Sequence, residues 1–177
     1  MSLIKGFVAG IAMALAAHAS ANEKIGYQHW VVDIGAHTVE AHTANVNKTT
    51  FGVFCSGDQC LFYLHQNFQC TPGTKYSVLM SSQTVANALS MECTQIGGNL
   101  FQILDPFKTI LRAVQGGGTI GFALALQSGD FAVTRFSLAG AKQAIDRALL
   151  EAAKAKEKPP KRAPQNIPPA KTKDQLI

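Results

Sequence analysis

The stretch "TTFGVFCSGDQCLFYL", residues 49–64, constrains the fold of this chain more than any other. Two runs rich in aromatic and β-branched residues flank "SGDQ", which is typical of a turn. The pattern predicts a β-hairpin in which Cys55 and Cys60 face each other at the strand ends. Because side chains alternate between the faces of a strand, one face is wholly apolar and belongs in a core: Phe51, Val53, Cys55, Cys60, Phe62 and Leu64.

The opposite face of this hairpin is only slightly less apolar. It carries Phe54, Leu61, Tyr63 and His65. Strands that are apolar on both faces are usually buried on both, and burial is the simpler expectation. Where the second face is open to solvent, Phe54, Tyr63 and His65 are the residues that we expect to form an interface.

Residues 1–21 have the layout of a secretory signal peptide. Lys5 precedes an apolar run over residues 6–17, and Ala19 and Ala21 form an A-x-A cleavage site. The run is shorter than the roughly 20 residues that a membrane-spanning helix needs. We therefore expect cleavage after Ala21, with Ala19 as the alternative, and export to the periplasm of a mature protein without a stable membrane span.

The four cysteines predict two disulfides, because thiols outside the cytosol tend to be oxidised. The hairpin favours Cys55–Cys60, which leaves Cys70–Cys93; in the alternative, Cys55 and Cys60 belong to separate bridges to Cys70 and Cys93. A redox site is the weaker interpretation, because thioredoxin-like chemistry uses C-x-x-C at the start of a helix. Zinc is weaker still, because structural zinc sites show close cysteine pairs.

The end of the chain, residues 158–177, is predicted to be a disordered, basic, proline-rich tail. Residues 22–157 contain ten Lys or Arg and ten Asp or Glu, so the net positive charge of the mature chain lies in this tail. This distribution argues against a nucleic-acid-binding fold. The tail is expected to contact an anionic surface or an acidic partner, or else only to aid solubility, through its basic residues: Lys158, Lys161, Arg162, Lys171 and Lys173.

Residues 22–157 are predicted to form a single mainly β domain. The segment "GYQHWVVDI" is predicted to be the first strand, and its Trp30 is expected to anchor the core. Further strands are predicted at "TVEAHTAN", "KYSVLMSS", "ALSMECTQI", "GGNLFQIL", "TIGFALAL" and "FAVTRFSL". This many short strands in a domain of this length predict a β-sandwich.

Two helices accompany these strands. In "DPFKTILRAVQGGG", Asp105 suits the N-cap, Pro106 the first helical position and Gly116 the C′ position of a short inserted helix. Ser137 is expected to cap a C-terminal helix over residues 138–156, whose apolar stripe faces the core.

The segment "PFKTILRAVQGGGTIGFALALQSGDFAVTRFSLAGAKQAIDRAL" resembles the end of invasion-associated locus B family proteins. Ser137, Leu138 and Gly140 match the "SL-x-G" that leads into the family's last helix, and Cys93 and Trp30 resemble its first late cysteine and its early tryptophan. The resemblance lies mainly over residues 76–150. It implies an immunoglobulin-like β-sandwich in the periplasm of a Gram-negative bacterium, a link to host-cell invasion and no known catalytic residues.

The chain departs from the family in its cysteines. Members tend to have a cysteine shortly after the early tryptophan, where this chain has residues 31–34, "VVDI". Gly97, Gly98 and Asn99 stand where the late partner cysteine would be.

No stretch of the sequence predicts catalysis. "GGGTIG" follows a helix and precedes a strand, which is the reverse of a dinucleotide-binding loop. His37, Glu40 and His42 are the best candidates for a metal site. However, residues five apart on a strand point to opposite faces, so we expect no metal and no cofactor.

The sequence as a whole predicts a non-enzymatic binding or accessory protein of the bacterial envelope with a protein partner. One alternative is an accessory subunit of an envelope-spanning secretion or conjugation assembly, tethered by the tail. The other is a periplasmic thiol oxidoreductase, which reactive thiols of low pKa would favour.

Overall fold

The structure is a computed structural model that describes residues 22–66, 70–96, 98–126 and 129–157. The predicted signal peptide and basic tail lie outside these ranges. The described residues form ten strands and two helices: β1 (Glu23–Tyr27), β2 (Trp30–Ile34), β3 (Thr38–Ala44), β4 (Thr50–Ser56), β5 (Gln59–His65), β6 (Lys75–Ser82), β7 (Ala86–Ile96), β8 (Asn99–Asp105), α1 (Phe107–Gln115), β9 (Thr119–Ala125), β10 (Phe131–Ser137) and α2 (Ala141–Glu157).

All ten strands belong to one antiparallel sheet, in the order β1-β2-β3-β4-β5-β8-β7-β6-β9-β10. The predicted mainly β fold with one inserted and one C-terminal helix is confirmed. The two layers that a sandwich would supply come here from a single sheet that curls until its ends face each other. Strand twist accumulates across a sheet of this width and allows such curling.

Contacts between distant strands show how the sheet closes around one core. The Phe51 ring of β4 lies 5.1 Å from the Phe122 ring of β9 and 5.5 Å from the Phe136 ring of β10, measured between centroids. The indole N–H of Trp30 in β2 donates to the Ser137 carbonyl at 2.9 Å. Trp30 is fully buried, so its predicted role as a core anchor is confirmed.

Helix α2 packs across β1 to β5 and covers the core from one side. Its buried face consists mainly of small side chains, which let the helix lie close to the sheet: Ala141, Ala144, Ile145, Ala148 and Ala152. Helix α1 buries Thr109, Ile110, Ala113 and Val114. No helix among the described residues is long and apolar enough to cross a membrane.

Three boundaries differ from the sequence-based expectation. "GYQHWVVDI" is not one strand but the hairpin β1–β2, turning at Gln28, whose φ of 52° is unusual for a residue without glycine's freedom. Asp105 ends β8 and makes no side-chain cap, so α1 begins after Pro106, and Gly117 rather than Gly116 takes the positive φ.

The last helix also begins later than predicted. Its first residue is Ala141, because Gly140, with a φ of 89°, completes a turn after β10. The Ser137 hydroxyl accepts a hydrogen bond from the Ala139 N–H inside that turn and does not cap the helix.

Candidate functional site

The outer face of the sheet carries an apolar depression where β4, β5, β7 and β8 lie side by side. It encloses about 140 Å³. We call it the outer pocket; six of its seven lining residues are apolar or aromatic, and the set is Glu40, Phe54, Leu61, Tyr63, Ile96, Phe101 and Ile103. An outward sheet face is usually polar, so this composition marks the pocket as the candidate site.

A glycine lies where the Tyr63 side chain crosses β4 toward β3. Gly52 on β4 lies opposite Tyr63 on β5 and opposite His42 on β3. A Cβ atom at Gly52 would lie 2.5 Å from the Ala41 carbonyl oxygen and 2.8 Å from the His42 Cβ. Without a side chain at this position, the ring of Tyr63 can extend across β4 toward β3.

At the far side of β4, the Tyr63 hydroxyl donates a hydrogen bond to the Glu40 carboxylate of β3. Burial, then the negative charge of Glu40 and the hydrogen bond to it, raises the pKa of Tyr63 far above its usual value. Tyr63 therefore stays protonated and remains a donor to Glu40 throughout the physiological pH range. Only 3% of Tyr63 is exposed, and its ring forms a buried wall of the pocket.

Strands β7 and β8 supply the other side of the pocket. The sheet order places β8 beside β5, with Ile103 opposite Tyr63. The Phe101 ring meets the Tyr63 ring edge to face, with centroids 5.5 Å apart. Ile96, at the end of β7, is 50% exposed and forms the open rim.

The three predicted interface residues have different positions here. Phe54 and Tyr63 line the outer pocket, whereas His65 lies beside it. The His65 ring packs against Phe101 at 4.8 Å, and its Nδ1 lies 2.9 Å from the Leu100 carbonyl oxygen. Their role in binding remains a prediction.

Sequence reasoning missed four of the lining residues. Glu40 was considered only as a metal ligand, and Ile96, Phe101 and Ile103 were not considered for any site. The signal for two of them was the alternation in "NLFQIL", where Phe101 and Ile103 share one face. The opposite face of β8 carries Leu104 and the fully buried Gln102. Strand β8 is therefore apolar on its outer face and partly polar on its inner face.

Both disulfides have the pairing that the sequence favoured. Cys55 and Cys60 face each other with Cα atoms 4.1 Å apart, and Cys70 pairs with Cys93 at 6.0 Å. The pair Phe54–Leu61 is the next step of the ladder after Cys55–Cys60. The first disulfide therefore holds the end of the hairpin beside the outer pocket, and all four cysteines are used.

The three candidate metal ligands have separate surroundings. His37 is exposed in the β2–β3 turn, Glu40 accepts from Tyr63, and His42 Nδ1 lies 3.8 Å from Asp33. Across the described residues, no group of three or more His, Cys, Asp or Glu side chains could hold a metal ion.

Ion pairs fix the charged residues around the outer face. Asp33 pairs with Lys24 at 2.8 Å, and Glu92 pairs with Lys75 at 3.6 Å. Asp58, in the β4–β5 turn, pairs with Lys156 near the end of α2 at 3.2 Å. The hydrogen bond and positive charge of Lys156 lower the pKa of the Asp58 carboxyl group.

No protein-family model matches the chain, and no curated protein matches it by sequence. Among solved structures, the chain is similar to invasion-associated protein B from Bartonella henselae, with a TM-score of 0.56 and 14% sequence identity. The alignment covers 73% of this chain and 97% of the neighbour, which is wider than the segment on which the sequence resemblance mainly rested. The chain therefore shares the fold of an invasion-associated protein B.

Proposed function

We propose that the chain is an exported, non-enzymatic accessory protein of the bacterial envelope that binds a protein partner through the outer pocket. The observation that carries this proposal is the aromatic composition of the pocket on an outward sheet face. The half-buried Phe54 and Phe101 present ring surfaces there beside the buried Tyr63, and aromatic residues are enriched at protein interfaces. A polypeptide-binding role needs no metal or cofactor.

The size of the pocket indicates what it binds. Sites for small molecules usually enclose about 300–1,000 Å³, whereas this pocket encloses about 140 Å³. A dry, apolar cavity of about 150 Å³ holds one benzene molecule. The pocket therefore suits one apolar side chain of an extended polypeptide, whose backbone would lie across β4, β5 and β8.

Three observations support the cellular setting. The two disulfides agree with an oxidising compartment. The sequence predicts a signal peptide, and the neighbour of the same fold is described as invasion associated. On these grounds we place the mature protein, residues 22–177, in the periplasm and link its partner to interaction with a host.

Site-specific photo-crosslinking tests the proposal. A photoreactive phenylalanine analogue replaces Phe101 in the full chain, expressed in a Gram-negative bacterium that carries the gene naturally. The matched control places the same analogue at Leu79, which is 52% exposed on β6 and outside the pocket lining.

The expected result is one discrete protein adduct at position 101, recovered from the periplasmic fraction and absent at position 79. Equal labelling at both positions, or no adduct at position 101, would overturn the role of the pocket. Recovery in the cytoplasmic fraction would overturn the proposed compartment.

A further inference from the structure

We propose that the chain's own tail, residues 158–177, is an occupant of the outer pocket, with the ring of Pro164 inserted between Phe54 and Phe101. This inference rests on the proposed function, because the tail would compete with the partner for the same pocket. The protein would then carry a built-in competitor, and partner binding would require the tail to leave.

The point where α2 ends places the tail close to the pocket. Helix α2 ends at Glu157, and the preceding Lys156 contacts Asp58 in the turn of the β4–β5 hairpin. The outer pocket begins on the same hairpin, where Phe54 lies opposite Leu61. The chain therefore leaves the described domain beside the hairpin end that leads to the pocket.

Chain lengths select the residue that reaches the pocket. Phe54 lies two residues before the end of β4 at Ser56, about 7 Å along the strand, and the tail must also cross the turn and pass around the end of the hairpin. Pro164 is seven residues beyond Glu157, or about 22 Å in a polyproline conformation. Pro159 and Pro160 would reach only about 6–9 Å by the same rise, whereas Pro168 and Pro169 would close a longer loop at a higher entropic cost.

The chemistry of the pocket fits a proline ring. Proline-rich segments bind in aromatic-lined grooves, because their extended conformation is preformed and little entropy is lost on binding. The pocket volume of about 140 Å³ matches a single ring.

The charge of the tail suits the same position. Glu40 is the one charged residue among the described residues that line the pocket. Its carboxylate accepts from Tyr63 and has further acceptor sites. Arg162 precedes Pro164 by two residues, about 6 Å in a polyproline conformation, so its guanidinium is within reach of Glu40 when Pro164 occupies the pocket.

Methyl NMR of the mature chain, residues 22–177, tests this inference. Ile96 and Ile103 line the pocket, whereas Ile110 and Ile120 are fully buried in the core and serve as internal references. The test variant is Pro164→Ala, and the matched control is Pro169→Ala, which removes a proline from the same tail.

We expect the δ1-methyl signals of Ile96 and Ile103 to shift in Pro164→Ala and to stay in place in Pro169→Ala, with the reference signals unchanged in both. A synthetic peptide of residues 158–177 should bind Pro164→Ala about tenfold more tightly than the unmodified chain. This factor assumes an effective tail concentration of about 1 mM and a peptide Kd of about 0.1 mM.

Unshifted Ile96 and Ile103 signals in Pro164→Ala would overturn the inference, as would equal shifts in the two variants. The crosslink at position 101 reports on the partner separately. An adduct at position 101 without the methyl shifts would support the proposed function and overturn the binding of the tail. Methyl shifts without an adduct would support the binding of the tail and overturn the proposed function.

Discussion

At the scale of single residues, Gly52 leaves no room for a side chain between β4 and β3. We expect Gly52→Ala to lower the free energy of unfolding by about 1–3 kcal/mol, because its Cβ would overlap backbone atoms of β3 that cannot move independently. Urea unfolding measures the change. The matched control is Gly26→Ala on β1, where an added Cβ meets nothing within 4 Å; a similar loss in both variants would contradict the steric explanation.

Tyr63 gives the domain a specific dependence on alkaline pH. The folded state raises its pKa and so favours the protonated form, whereas an unfolded tyrosine titrates near pH 10. The stabilisation is therefore complete below about pH 10, and each further unit of pH removes up to about 1.4 kcal/mol until the folded state also titrates.

Tyr63→Phe should lose this pH dependence while costing about 1–2 kcal/mol at neutral pH through the missing hydrogen bond to Glu40. Urea unfolding at pH 8 and at pH 11 measures both effects. Tyr27→Phe, which removes the hydroxyl of a half-buried tyrosine on β1, is the comparison variant. If the unfolding free energy of Tyr63→Phe falls between pH 8 and pH 11 as much as that of the unmodified protein, Tyr63 is not the source of the pH dependence.

At the scale of elements, the two disulfides constrain loops of very different length. The sequence separations are 5 residues for Cys55–Cys60 and 23 for Cys70–Cys93. Chain entropy then gives about 2 and about 3.5 kcal/mol of stabilisation respectively. We expect the double variant Cys70→Ala/Cys93→Ala to lose more unfolding free energy than Cys55→Ala/Cys60→Ala, as measured by urea unfolding under oxidising conditions. The opposite order would mean that packing around Cys55 and Cys60, and not loop length, dominates the stabilisation.

The same elements show how far sequence reasoning could reach. The β4–β5 hairpin was predictable, because its alternation and its turn are both local. The β1–β2 hairpin was missed, because its turn consists of Gln28 and His29, which are not typical turn residues. The half of the pocket from β7 and β8 was also missed. Strand β8 pairs with β5 although β6 and β7 lie between them along the chain, and no local pattern encodes that pairing.

At the scale of the whole molecule, Trp30 and β10 hold the two ends of the curled sheet together. Trp30→Phe removes the hydrogen bond to the Ser137 carbonyl and part of the core volume. We expect a loss of about 2–4 kcal/mol and faster amide exchange in β2 and β10 together, because both strands lose the same contact. Hydrogen–deuterium exchange measures this. Val46→Ala, at a residue that is 98% exposed, is the control, and faster exchange confined to β2 would contradict a shared closure.

The mainly β fold class could be predicted from the sequence, whereas the closure of the single sheet around the core could not. The number of strands and the positions of the two helices follow from local periodicity. The curling of one sheet depends on contacts such as Phe51 with Phe136, whose residues lie far apart along the chain. Sequence patterns alone do not distinguish this arrangement from two packed sheets.

Under the proposed function, the alternation of β4 and β5 assigns stability and recognition to opposite faces of the same strands. Phe51, Val53, Phe62 and Leu64 point inward, whereas Phe54 and Leu61 point into the outer pocket. A lineage can therefore change its partner through mutations at every second residue while selection holds the intervening positions constant. Homologues that have diverged in partner should vary at these outward positions first, and the sheet should survive the change.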